Sequence, residues 1–167
     1  RFGERLAVWL AELGALREAG EVRGVHVHLH GYAARDRVHA LGEVLTLVDA
    51  LRAVGSPIEF VDLGGGVPMS DLDDQQQWDA FWAAHQAALA ADEPFTWQGN
   101  LLENVYPYWQ RPVRGEWLAE LLATPLPDGK VASRAIAERG LEFRLEPGRS
   151  LLAGCGTPLA QVRFIKR

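Results

Sequence analysis

The stretch "GVHVHLHGY", residues 24–32, alternates small or branched apolar residues with histidines and then closes on a glycine and a tyrosine. A period of two is the signature of a β-strand, because successive side chains point to opposite faces. His26, His28 and His30 therefore share one face, and Val25, Val27 and Leu29 share the other. The apolar face reads as packed under helices. The histidine face needs a chemical reason, since imidazoles at a strand end can ligate a metal, hydrogen-bond a substrate or stack flat on an aromatic cofactor. The plainer alternative is that one or two of them, His26 first, are hydrogen-bonded core residues.

Working outward, Leu6, Trp9, Leu10 and Leu13 recur at helical spacing before Gly20 and this strand. Downstream, Asp36 is placed to cap a helix carrying Val38, Leu41, Leu45, Val48 and Leu51, which ends near Gly55-Ser56-Pro57. "IEFVDL" (58–63) then reads as a buried strand. A third helix is predicted over 73–91, with Trp78, Phe81 and Trp82 on its buried side. Shorter helices are predicted over 116–123 and 133–139, followed by the strand in "LEFRLEPGR" (141–149) and a final strand near 159–165. Strands alternating with helices in this order imply an α/β fold with a parallel sheet, either a barrel or a doubly wound sheet. The connection 94–112, rich in Trp, Tyr and Pro, is too long to be passive. Its Trp97, Gln98, Tyr106, Tyr108 and Trp109 can roof a site, pack a partner or cover a sheet edge, and such dense aromatics favour packing or an interface.

The 167 residues, 48% hydrophobic, suffice for one sizeable core, and nothing reads as a linker between two, so a single domain over 1–167 or part of one is expected. With 17 basic and 22 acidic residues the net charge is −5. That balance argues against nucleic acid and against an anionic membrane as main partner, and favours a small molecule or another protein. A single cysteine excludes an internal disulfide framework, and no apolar run is long enough to span a membrane. A soluble, cytoplasmic protein is expected. The chain opens at Arg1-Phe2-Gly3 without methionine, directly before a helical pattern, and so reads as an excerpt of something longer.

Two further strand ends carry unusual chemistry. "VDLGGGVP" (61–68) places Gly64, Gly65 and Gly66 where bare backbone can approach a ligand, and their amides can form a concavity for a phosphate. An ordinary tight turn is the alternative. In "EPGR" (146–149), Pro147 and Gly148 turn the chain sharply, presenting Glu146 and Arg149 at one rim. The arginine can grip a phosphate bidentately while the carboxylate is free for a second task; a surface turn with a local ion pair is the plain reading.

In order, "RFG" (1–3), "GVHVHLHG" (24–31), "VDLGGGVP" (61–68) and "EPGRSLLAGCG" (146–156) make the chain resemble the fold-type III pyridoxal-phosphate enzymes, the ornithine and diaminopimelate decarboxylase group. The resemblance implies the latter part of a (β/α)8 barrel of the alanine-racemase type and a pyridoxal 5′-phosphate cofactor. It implies that His28 stacks on the pyridine ring and that Gly64, Gly65 and Gly66 hold the phosphate, with Gly148 and Arg149 assisting. Glu146 would pair with the pyridine nitrogen, making Glu146 and His28 the catalytic pair, with no metal called for. It further implies an amino-acid substrate and a homodimeric full-length parent. Where the family has Gly-Ser after the stacking histidine, this chain has His30-Gly31, which puts one phosphate contact in doubt and turns His30 toward substrate. The family's cofactor-anchoring lysine belongs to a strand upstream of Arg1, and its C-terminal β domain is also missing. Lys130 and Lys166 match no anchoring motif, so the 167 residues alone are expected to be inactive. Cys155 reads as a small buried residue, and His39 and His85 as surface or packing residues. Two readings within the same cofactor class, a racemase and a non-catalytic cofactor-binding protein, remain beside the decarboxylase. From another class comes a metal-dependent barrel hydrolase with His26 and His28 on zinc and His30 as candidate third ligand; a degenerate interaction domain without chemistry is the last alternative.

Overall fold

Valine-rich alternation and a glycine-ended second strand build a small parallel sheet in the computed structural model, which describes residues 3–102, 105–156 and 161. Strands β1 (Gly24–His28), β2 (Phe60–Gly64) and β5 (Glu142–Leu145) lie in the order β1-β2-β5, all parallel, with β2 central. The register sets His26 beside Asp62, His28 beside Gly64, and Asp62 beside Arg144. Helix α3 (Ala34–Ala53) connects β1 to β2; α4 (Gln75–Ala90), the two-residue strands β3 (Thr96–Trp97) and β4 (Asn100–Leu101), α5 (Arg114–Ala123) and α6 (Ala132–Glu138) connect β2 to β5. Before β1 the expected amphipathic helix forms as two short pieces, α1 (Leu6–Ala11) and α2 (Leu13–Ala19), divided at Glu12. After β5 the chain turns into a 3-10 helix at Gly148–Leu152.

The two faces of the sheet differ as the alternation requires. Val25, Val27, Val61, Leu63, Phe143 and Leu145 face one core together with Val38, Leu41, Val44, Leu45, Val48 and Leu51 of α3, Trp117 and Leu121 of α5, and Ala135 and Ile136 of α6. The opposite face carries His26, His28 and Asp62, together with Arg144, whose guanidinium lies 3.6 Å over the Phe60 ring. Helices over one face and polar groups on the other position the site. Three strands form an open sheet; they do not close a barrel.

Several local expectations shift. Asp36 does not cap α3: Ala33 precedes the helix without a side-chain cap, and Asp36 sits in the first turn, where its charge still complements the helix N-terminus. Asp74 does cap α4, accepting from the Gln76 amide at 2.8 Å. On α4 the buried side chain is His85, held among Phe81, Trp82 and Phe95, while Trp82 is 44% exposed rather than buried. Cys155 is exposed, because it follows a 3-10 turn whose Leu151 and Leu152 are themselves open to solvent. Arg1, Phe2 and, apart from Gln161, the strand expected near 159–165 lie outside the described residues.

Leu41 is fully buried at the centre of α3. Leu41→Ala is expected to destabilise the protein by about 2–5 kcal/mol in urea unfolding, through lost burial and the cavity left behind. At the end of the same helix, Arg139 grips both carboxylate oxygens of Asp49 (2.9 and 2.7 Å) and holds its pKa below the usual carboxylate value. Its contribution is therefore full above that value and is lost as pH falls through the lowered one. Asp49 is half-exposed, so Asp49→Asn is expected to remove less than about 1 kcal/mol at neutral pH and to flatten stability against pH below about 4.

Candidate functional site

All three motifs end at the same edge of the sheet, the C-terminal end of its parallel strands, where ligands bind in open and closed parallel sheets alike. A cleft of about 1480 Å3 opens there, and His28, His30, Gly65, Gly66, Glu146, Gly148 and Arg149 line it. Gly64 lies just below, between His28 of β1 and the end of β5. A Cβ on Gly64 would stand 2.9 Å from Oε2 of Glu146 and 3.1 Å from Nε2 of His26, so the missing side chain is what lets these two groups close in over the central strand. There the ligating atoms of His26, His28 and Glu146 all come within 4.8 Å of one another. The histidine rings of β1 stand 6.2 Å apart, tilted by 53°.

The glycine loop is fixed from beneath by a residue the motif reading passes over. Arg37 of α3 is 1% exposed. Its Nη1 donates to the Gly64 carbonyl, and its Nη2 lies 2.7 Å from the carbonyl of Gly31, 2.9 Å from that of Gly65 and 3.2 Å from that of Leu29. Burial pushes the guanidinium pKa down from its ordinary value. Carbonyl dipoles rather than a carboxylate satisfy it among the described residues. In a trans peptide the N–H points opposite to the C=O. Drawing the Gly64 and Gly65 carbonyls down to Arg37 therefore turns the Gly65 and Gly66 amides away from it, the orientation an anion-binding concavity needs. Gly65 has φ +93°, and a Cβ there would run into the Leu29 carbonyl and the Arg37 guanidinium, so only glycine fits.

Arg149 supplies a second cationic group. Its Nη1 is 3.5 Å from Asp71 and its guanidinium lies 4.4 Å from the Tyr106 ring centre, while Nε and Nη2 are buried without a hydrogen-bond partner among the described residues. Unpartnered buried donors are costly, and an oxyanion ligand would satisfy them. The aromatic connection forms part of the roof. Tyr106, Pro107, Gln110 and Arg111 reach the cleft, held to the loop after β2 by bonds from Asp71 N and Leu72 N to the Tyr108 carbonyl (2.8 and 3.0 Å) and from Gln110 Nε2 to the Met69 carbonyl (2.9 Å). Trp97 and Gln98 belong to the exposed hairpin instead. Trp117 of α5 ties in the loop after β1, donating from Nε1 to the Tyr32 carbonyl at 2.6 Å. His30 lies beyond the end of β1 and is not part of the group formed by His26, His28 and Glu146. His39 is exposed on α3, outside this cleft.

No family model matches the chain, and no solved structure matches it. The chain is similar to a curated protein of Sinorhizobium fredii, uncharacterized protein y4yA, with 35% identity over 156 residues. The alignment covers 92% of this chain and 33% of that relative. The chain thus spans about a third of the length of the curated relative it matches.

Arg37 was legible in principle: it falls in phase with Ala34, Val38 and Leu41, so a charged residue occupies the buried face of an amphipathic helix. Asp62, 3.3 Å from Nδ1 of His26, is visible only through the strand register. Arg37→Met keeps the aliphatic stem and leaves several carbonyls unpartnered. It is expected to cost at least about 2 kcal/mol in urea unfolding and to raise amide hydrogen exchange at 64–66 more than at β5; unchanged exchange in the loop would refute its anchoring role.

Proposed function

We infer that this chain is the cofactor-binding part of a pyridoxal-phosphate-dependent amino-acid decarboxylase. The observation that carries the reading is the pairing, around one cleft, of an anion-competent corner with the Glu146 carboxylate and the His28 imidazole. The corner is formed by the Gly65 and Gly66 amides and the two donors of Arg149 that lack a partner among the described residues; the Glu146 carboxylate stands over the bare backbone of Gly64. A planar aromatic phosphate ester fits both ends. Arg149 and the glycine amides would take its phosphate, His28 would lie against its ring, and Glu146 would hold a proton at its pyridine nitrogen. When bound, the cofactor supplies an electron sink for the electron pair left as carbon dioxide departs. Glu146 keeps that sink effective by keeping the nitrogen protonated.

The same residues divide the remaining roles. His30, at the cleft wall in place of the family's glycine, is positioned for the substrate rather than the phosphate. Lys130 is paired with Glu138 on α6, outside the cleft, and Lys166 lies outside the described residues; by the resemblance the anchoring lysine belongs to a strand upstream of Arg1. The sheet supports the barrel form of the fold: its helices pack on one face, as outside a (β/α)8 barrel, whereas a doubly wound sheet is covered on both. On this reading the polar face looks into a barrel completed by strands outside the chain. The full-length homodimer is then the active species, in the cytoplasm, and the isolated segment is inactive.

The test is intact mass spectrometry of the full-length protein before and after borohydride reduction, with carbon dioxide release measured over a panel of amino acids. The reading expects a reduced pyridoxal-phosphate adduct on a lysine outside these residues and release from at least one amino acid. Arg149→Gln is expected to weaken cofactor binding by about 10–100-fold, equivalent to ~1.4–2.7 kcal/mol. Glu146→Gln is expected to retain the cofactor while lowering kcat by about 100-fold or more. A protein that takes up no pyridoxal phosphate at all would overturn the reading.

A further inference from the structure

The cleft contains a second set of chemically matched groups that the cofactor reading uses only in part. His26 and His28 project from one face of β1, Glu146 closes in from the end of β5, and Gly64, lacking a side chain, lets His26 and Glu146 approach each other above it. Nε2 of His26 and Oε2 of Glu146 both point over Gly64, as the short distances from its notional Cβ show. Behind His26, Oδ2 of Asp62 lies 3.3 Å from Nδ1. A carboxylate at that nitrogen favours the tautomer with its proton on Nδ1, leaving the Nε2 lone pair on the side of Glu146. Two imidazoles, one carboxylate and an orienting carboxylate behind an imidazole make up a donor set that zinc takes in open sites, with a fourth position left for solvent.

From this geometry we propose that His26, His28 and Glu146 bind a divalent ion of the zinc class, oriented by Asp62. Bonds of about 2.0–2.1 Å in a tetrahedral site hold ligand atoms about 3.3–3.4 Å apart. The three side chains, now within 4.8 Å, need to draw together by little more than a rotamer adjustment, and all three are solvent-exposed and free to make it. The site differs from a simple reading of three alternate histidines: Glu146 from a different strand takes the place of His30. Because it uses His28 and Glu146, the ion and a pyridoxal phosphate in the same cleft exclude each other. That exclusion, unlike the site itself, rests on the function proposed above.

The experiment is a cobalt and zinc titration of the full-length protein after chelator treatment, without pyridoxal phosphate, read by visible absorption and by calorimetry. One cobalt per chain with the intense visible bands of a four-coordinate ion is expected. His26→Ala and Glu146→Gln should each weaken zinc by about tenfold or more, as should Asp62→Asn, whose side chain touches no ion; His30→Ala should leave the affinity within about twofold. No uptake, or an affinity unchanged by His26→Ala, would overturn the site. A second titration follows pyridoxal-phosphate absorbance with and without zinc. Zinc should raise the apparent Kd of the wild-type protein for the cofactor and have no such effect in His26→Ala, which keeps its cofactor-binding groups. A protein that takes zinc but never pyridoxal phosphate would retain this site and refute the decarboxylase; one that takes only the cofactor would do the reverse.

Discussion

A single buried guanidinium organises the cleft. Arg37 enters from the core side of α3, where a charge is costly to place, and its cost is offset by carbonyls from two different loops. Those carbonyls belong to the chain after β1 and the chain after β2, so one side chain fixes the separation of the two loops that carry the histidine wall and the glycine floor. It also leaves a positive charge, unmatched by any carboxylate among the described residues, directly beneath the glycine amides. Oriented amides over a buried cation make a field that favours an anion above them. The glycines and Arg37 are therefore one device. Gly65 must lack a side chain because the guanidinium and the Leu29 carbonyl occupy the place a Cβ would take.

The second constraint is the two-faced sheet. Val61 and Leu63 of the central strand are fully buried under α3, while Asp62 between them points the other way, beside His26. Each residue of β2 is thus committed to either packing or chemistry, and a slip of one position would send Asp62 into the core and Leu63 into the cleft. The cluster of apolar side chains on α3 that locks this register is therefore as necessary to the site as the polar groups themselves. Trp117 acts in both layers, with its ring in the core and its indole nitrogen bonded to the loop that carries Tyr32.

How much of this was legible follows from which interactions are local. The alternation in 24–29, the glycine run at 64–66 and the turn at 146–149 are each set by neighbouring residues, and the structure brings all three to one sheet edge as their places at strand ends require. The register is not local. Only pairing shows that Gly64 stands between His28 and Glu146, that Asp62 backs His26, and that Glu146 rather than His30 completes the group with His26 and His28. The misreadings have the same origin. Helical spacing places Trp82 with Trp78 and Phe81, and residue type places Cys155 inside, yet burial depends on what packs above them: Cys155 is exposed beside the exposed Leu151 and Leu152, and along α4 the aromatic ring cluster closes on His85. Closure of a barrel involves strands that a three-stranded segment does not supply, so its sequence motifs alone imply it.

The two chemistries proposed for the cleft draw on different halves of it. An aromatic phosphate ester needs the corner made by Gly65, Gly66 and Arg149, and a metal ion needs His26 with Asp62 behind it; His28 and Glu146 are common to both. Bare backbone at Gly64 serves both, since a side chain there would collide with the His26 ring and the Glu146 carboxylate that the ion and the cofactor respectively require. What separates them is charge. A phosphate gains from Arg37 and Arg149, both of which repel a cation, whereas a zinc ion gains from two carboxylates and two imidazoles at the far end. Selection between ligands is then set by substitutions at the ends of the cleft rather than at its shared centre: loss of His26 costs the ion and spares the ring, and loss of Arg149 costs the phosphate and, by removing a positive charge, favours the ion.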